Sequence, residues 1–231
     1  MTDPSAHSSR RNGSLLLADI SGYTAFLQGV ADAHRQLIVE ADEPPPAYAV
    51  LSHLLDTMLG AIAPSFRLAK FEGDAIFAVS EGAPHGTAAL DCLRACYAAF
   101  RGQLATAGSQ WTCSCTACAR IGDLDLKFVL HHGPYVVQPI AGHEELLGAE
   151  VNLVHRLLKN HVRELVGRVP YALVTDRAIE ALAIPTDGMI AADERYEDVP
   201  RIPIHVLVLA TTAPIDGQTS VDSTGQVSMP R

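Results

Sequence analysis

The stretch Leu15–Asp19, LLLAD, carries four apolar residues without a break into a carboxylate. An apolar run of this length, bounded by turn-forming residues, reads as a buried strand. The strand is predicted over Ser14–Asp19, passing through the core and finishing on an acid. Ser21, Gly22, Tyr23 and Thr24 follow, a turn-forming set with hydroxyls. A second such case is KFEGDAIFAV, Lys70–Val79, where Gly73 and Asp74 separate two apolar segments. So tight a connection predicts an antiparallel hairpin of strands near 65–73 and 75–81. Taken singly, each acid has an ordinary structural explanation, since Asp caps helices and fills turns. Taken together, they raise the question of one shared site. If the first strand lies beside the hairpin, both turns face one crevice, and two carboxylates meeting there become tolerable with divalent cations between them.

Periodicity supplies the remaining elements. Helices are predicted from near Gly22 to Ala41, over Ala47–Ala63, over Gly86–Thr106 and over Leu146–Val166, with DEPPP (Asp42–Pro46) ending the first and Pro46 suiting the first turn of the second. Asp123–Gly133 and Pro134–Gly142 alternate as strands. Tyr171–Leu182 reads as a short strand followed by a helix, and Ile202–Ala210 as the last strand. The order strand, helix, helix, strand, strand, helix, strand gives an α+β fold. Its expected form is ferredoxin-like, a βαββαβ-type antiparallel sheet with helices packed mainly on one face. Residues 1–12 are expected to be a flexible N-terminus and 211–231 a disordered polar tail. One domain spans 13–210, with a Cys-containing insertion near 111–120 and no internal repeat.

Composition limits the partners. A formal net charge of −9 argues against general nucleic-acid backbone binding, although a local site with metal ions can still take a nucleotide. The sequence has no apolar run of about eighteen residues and its N-terminus lacks a signal-peptide core, so no membrane span and a cytoplasmic protein with reduced thiols are expected. A third pattern, GAEVNLVHRL, sets Asn152 and Arg156 four apart, on one helix face, with Val151, Val154, Leu157 and Leu158 available to bury the other.

In this order the three pieces, ADISGYTAF, KFEGDAIFAV and GAEVNLVHRL, resemble the catalytic domain of the class III nucleotide cyclases, the adenylyl and guanylyl cyclases, and most closely a poorly characterised bacterial branch. The resemblance spans residues 15 to about 160. It implies a metal-dependent conversion of ATP to 3′,5′-cyclic AMP and pyrophosphate. Asp19, Asp74 and the Ile20 carbonyl would hold two Mg²⁺ or Mn²⁺ ions. The Gly22–Tyr23–Thr24 turn would offer helix N–H groups to phosphate. Asn152 would orient the ribose and Arg156 would neutralise the α-phosphate. Lys70 matches the residue that reads N1 of adenine. Glu145, three before Gly148, falls where adenylyl enzymes carry Asp or Thr to accept from the adenine amino group. A head-to-tail homodimer with two equivalent sites is implied.

Two departures stand out: Glu145 is longer than the family's residue, and Asp193–Leu209 has no Lys to grip the triphosphate, with Arg195 and Arg201 as substitutes. The alternative is therefore a catalytically weak or inactive cyclase-like protein that binds a nucleotide and signals.

The five cysteines, an odd number, argue against a simple disulfide framework. Cys113, Cys115 and Cys118 form C-x-C-x-x-C, a spacing that suits zinc given a fourth ligand from His131, His132, or Cys92 and Cys96. The alternative is a loop of reduced or redox-active thiols. On their strand, His131 and His132 read more readily as hydrogen-bonded residues than as ligands.

Overall fold

The LLLAD run lies in β1 (Ser9–Ser21), which starts five residues before the predicted strand, so that 9–12 belong to the sheet. The computed structural model describes residues 8–35, 46–110, 113, 115–197 and 199–209. The expected continuation of the first helix to Ala41, most of the DEPPP break and the tail from 211 lie outside these residues. Leu15, Leu16, Leu17 and Ala18 are each 0% exposed, so β1 buries both of its faces.

The sheet order places β1 centrally. The hairpin β2 (Arg67–Glu72) and β3 (Ala75–Ser80) flanks one edge, with Ser14–Asp19 paired antiparallel to Ser80–Ala75. On the other edge β1 pairs antiparallel with β4 (Asp125–Ile140), from Ser9↔Val137 to Ser21↔Asp125. β6 (Tyr171–Thr175) runs parallel to β4. β8 (Val199–Val208) and β7 (Ile190–Tyr196) complete the sheet antiparallel, and β5 (His143–Leu147) folds back on β4. This is the α+β fold expected, with a mostly antiparallel sheet.

Most of the helical mass lies on one face. There α1 (Tyr23–Ala33), α2 (Pro46–Ile62), α3 (Thr87–Gln110), the short α4 (Thr116–Ala119) and, beyond β6, α7 (Asp176–Leu182) bury Phe26, Met58, Phe100, Cys118 and Leu182 against Leu16, Ala18 and Phe128. On the opposite face α5 (Ala149–Leu157) and α6 (Val162–Val166) pack Val151, Val154, Leu157 and Val162 onto Leu15, Leu17, Phe77 and Val129.

Three elements differ from expectation. The two strands predicted over Asp123–Gly142 are one, and Ala141 and Gly142, both at positive φ (52° and 84°), turn it into β5. Positive φ at both central residues is the geometry of a two-residue hairpin loop. The helix predicted over Leu146–Val166 starts only at Ala149 and is broken into α5 and α6. Asn160 causes the break: its Nδ2 donates to the Leu157 carbonyl (2.7 Å), while its Oδ1 accepts from the Val162 N–H (3.1 Å) and the Tyr171 hydroxyl (2.9 Å). One side chain thus satisfies the end of one helix and the start of the next. β7 has mostly polar side chains and a single edge partner, which hides it from an apolar-pattern reading.

Because Leu16 is fully enclosed between β1 and the helical layer, Leu16→Ala is expected to destabilise the fold by about 2–5 kcal/mol. Equilibrium chemical denaturation measures it, and a loss under about 1 kcal/mol contradicts this packing.

Candidate nucleotide site at one end of the sheet

Asp19 and Asp74 reach the same end of the sheet from different elements. Asp19 lies near the end of β1 opposite Ala75, and Asp74 forms the β2–β3 turn with Gly73, whose φ of 65° favours glycine. The Ile20 N–H donates to the Asp74 carbonyl (3.3 Å), which stitches the turn to β1. Burial, and then the charge of Asp19, hold the Asp74 carboxyl above its ordinary value, so the two acids feel one another's field. The Lys127 ammonium, on β4 opposite Asp19, lies 3.1 Å from the Asp19 carboxylate and donates to the Leu158 carbonyl at 3.1 Å. Lys127 lies outside the three sequence motifs. Its signal was its place in a strand that alternates about it, and the partner on β1 appears only with the register.

Next to this end, Gly22 adopts φ 90°, and its carbonyl accepts the Phe26 N–H (3.0 Å) to start α1. Thr24 is exposed, but Tyr23 is buried and its hydroxyl donates to the Ala47 carbonyl (3.2 Å). Burial raises the Tyr23 phenol to about 12. Only the backbone of Tyr23 therefore remains to meet a phosphate. A cleft of about 410 Å³ opens at this turn, lined by Ser21 and Gly22 together with Arg120, Arg163 and Arg168.

A second group gathers around β2 and α5. The Lys70 ammonium lies 3.2 Å from Glu72 and 3.7 Å from Glu145, which stands on β5. His155 on α5 meets Glu72 at 3.1 Å and packs its ring edge-on against Phe77. Asn152 and Arg156 are exposed on the outer side of α5, above buried Val151, Val154 and Leu157. They line a cleft of about 500 Å³ with Glu150, Arg177 and Arg201, and the Arg156 guanidinium donates to the Glu197 carbonyl (3.0 Å). Neither Asp19 nor Asp74 lines that cleft. Of the proposed triphosphate substitutes, Arg201 is paired with Asp193 at 2.6 Å, and Arg195 stands on β7.

The helix carrying Asn152 and Arg156 is anchored by side chains outside the three motifs. His131, 1% exposed, bonds Thr175 Oγ1 (2.8 Å) through Nδ1 and Glu150 Oε2 (2.9 Å) through Nε2, and Arg177 also binds Glu150. Burial holds the His131 imidazole below its ordinary pKa against the opposing pull of Glu150. A Cβ on Gly133 would come within 2.8 Å of Glu150 Cγ, so that glycine lets α5 approach β4. His131 therefore faces Glu150, and His132 bonds Asn12 and Ser14. Cys96 donates its thiol to the Met58 carbonyl inside the helical layer, and Cys92 lies one turn before it on α3. None of these four joins Cys113, Cys115 and Cys118, whose neighbouring ligand-type residue is His34.

Residues 51–165 match a family described as "Protein of unknown function (DUF2652)". An uncharacterized protein of Mycobacterium tuberculosis is 30% identical over 165 residues, covering 70% of this chain and 74% of that protein. The chain belongs to that protein's family. Its fold is the one that the three motifs implied, that of nucleotide cyclase catalytic domains. The adenylyl cyclase CyaB from P. aeruginosa is similar with a TM-score of 0.58 at 16% identity, over 87% of this chain and 96% of that one. The guanylyl cyclase Cya2 is similar with a TM-score of 0.57 at 18% identity, over 90% and 97%. An adenylyl and a guanylyl enzyme fit equally well, so the fold does not choose the base. Among the described residues of this family member, no helix is long and apolar enough to cross a membrane.

The raised Asp74 carboxyl has a consequence for stability. The folded chain takes up this proton at a higher pH than the unfolded chain does, so ionising Asp74 costs stability as pH rises through that window. Asp74→Asn, which cannot ionise, is expected to raise the denaturation midpoint at pH 7 without divalent cations. The gain should shrink as pH falls through the raised titration range of folded Asp74 and be gone below about 4, where both the folded and the unfolded chain hold the proton. A gain that is constant with pH, or a loss at pH 7, contradicts the charge conflict.

Proposed function

We propose that the chain is a metal-dependent nucleotide cyclase that converts ATP to 3′,5′-cyclic AMP and pyrophosphate. The observation that carries this reading is the meeting of two carboxylates distant in sequence, Asp19 and Asp74, at one end of a cyclase-type sheet. Two acids with mutual repulsion, beside a backbone carbonyl at Ile20, form a hard oxygen donor set suited to Mg²⁺ or Mn²⁺. When bound there, the ions would lower the pKa of the ribose 3′-hydroxyl and neutralise the triphosphate.

The chain's own groups divide the remaining work. Lys70 donates to N1 of adenine and Glu145 accepts from the amino group, a pair already 3.7 Å apart across β2 and β5. Asn152 orients the ribose. Arg156 neutralises the α-phosphate as the 3′-oxygen bonds to phosphorus and pyrophosphate departs with the electron pair of the breaking P–O bond. Arg163 and Arg168, on the cleft at the Gly22 turn, supply the positive charge that the late segment lacks as lysine. The carboxylates and the Asn152–Arg156 face line different parts of one protomer. A head-to-tail homodimer would set the acids of one protomer against the α5 face of its partner.

One observation favours the alternative, a cyclase-like nucleotide-binding protein of little activity. Lys127 already neutralises Asp19 and must yield that carboxylate to an incoming cation.

Incubation with ATP or GTP and Mn²⁺, with assays for pyrophosphate and cyclic nucleotide, separates the two readings. Product from the wild type and none from Asp74→Asn supports the enzyme, whereas nucleotide binding without product supports the alternative. Arg156→Ala is expected to lower kcat by about 10²–10³-fold with little change in KM. Mixing Asp74→Asn with Arg156→Ala in equal amounts should restore about a quarter of wild-type activity, because half of the dimers then hold one intact site. No recovery on mixing contradicts the shared site.

A further inference from the structure

We infer that His34, Cys113, Cys115 and Cys118 form a structural zinc site that clips the end of α1 to the α4 turn. This inference is independent of the cyclase reading. The four ligand atoms all lie within 4.8 Å of one another. His34 Nε2 is 3.2 Å from Cys113 Sγ, 3.9 Å from Cys115 Sγ and 3.9 Å from Cys118 Sγ. Tetrahedral zinc, with ligands at about 2.0–2.3 Å, holds its donors about 3.7 Å apart, in the middle of these values. The set suits one ion better than a two-iron cluster, whose ligands divide between two irons.

The surroundings orient the donors as a zinc site requires. His34 Nδ1 lies 2.9 Å from the Val30 carbonyl and donates to it, which leaves the Nε2 lone pair aimed at the thiols. The Cys118 N–H donates to Cys115 Sγ (3.4 Å), so Cys115 also caps α4. Cys118 is buried, and Cys113, Cys115 and His34 are half-buried, leaving an entry path. Ala117 of α4 lies close to Gly29 of α1, where an added Cβ would stand 3.7 Å from the Ala117 Cβ. His34 is the C-cap of α1, and Gly22, its N-cap, lies three residues after Asp19. The zinc clip thus fixes the helix on which the Gly22 turn is built. Binding releases the protons of the thiols that become thiolates.

The test uses the full chain, purified reduced, without chelator and without a polyhistidine tag. Metal analysis is expected to find about one zinc per chain, and Co²⁺ replacing it should give the ligand-field and thiolate charge-transfer bands of a tetrahedral site. His34→Ala should weaken zinc, measured against a chromophoric chelator, by at least about 100-fold. His34→Cys should retain the metal and shift the Co²⁺ bands, which a merely packed histidine would not do. Amide exchange over 23–33 should rise when zinc is removed. The proposal is overturned by a reduced wild type that holds no stoichiometric zinc, by iron in its place, or by a disulfide among these thiols as the resting state. Zinc held equally by His34→Ala would also overturn it.

Discussion

β1 sets the terms for everything around it. It hydrogen-bonds to β3 on one edge and β4 on the other, and from Leu15 to Ala18 it exposes nothing on either face. An ionised side chain inside such a run would lose its hydration without compensation. Asp19 is tolerated because it lies near the strand's end with the Lys127 ammonium opposite, and because the Asp74 turn closes over the next residue. The position that can carry charge is thus fixed by where the burial stops. The β1 register then decides which residues of β3 and β4 share that position.

The same reasoning explains what was legible in the sequence. The unbroken LLLAD run and the Gly-Asp hairpin announce themselves locally, since each is a short-range pattern whose meaning does not depend on distant partners. Asn152 and Arg156 were legible for the same reason: four residues on a helix share a face whatever lies beneath. What escaped depends on contacts between distant segments. Asn160 breaks a helix that looks continuous, because its side chain also bonds Tyr171 beyond the break. β5 looks like the start of that helix until Ala141 and Gly142 turn β4 back on itself. His34 is 79 residues from Cys113, so neither spacing nor composition joins them. Spacing points instead to His131, His132, Cys92 or Cys96 as a fourth partner for the three cysteines, and none of them stands beside the cluster.

The helix bearing Asn152 and Arg156 is held from several sides, and each hold is electrostatically distinct. At its start Glu150 is gripped by the buried His131 and by Arg177; the close approach is permitted by the missing Cβ of Gly133. Along its length His155 meets Glu72 and Phe77 of the hairpin. Glu72 also pairs with Lys70, so the hairpin lysine and α5 share a carboxylate. Displacing Lys70 toward a ligand would leave Glu72 to His155 alone.

Lys127 ties these two halves together at the other end of α5. Its one ammonium serves both the Asp19 carboxylate and the Leu158 carbonyl, just past the last residue of that helix. A divalent ion at Asp19 would repel the ammonium and compete for its carboxylate, because both carry positive charge. The group so displaced is the one that satisfies a helix-terminal carbonyl, and an orphaned carbonyl at that place is costly unless water or another donor replaces it. Charge added at the carboxylate end of the sheet therefore acts directly on the support of the helix that presents Asn152 and Arg156. That coupling runs through a single side chain, with no need for any longer path.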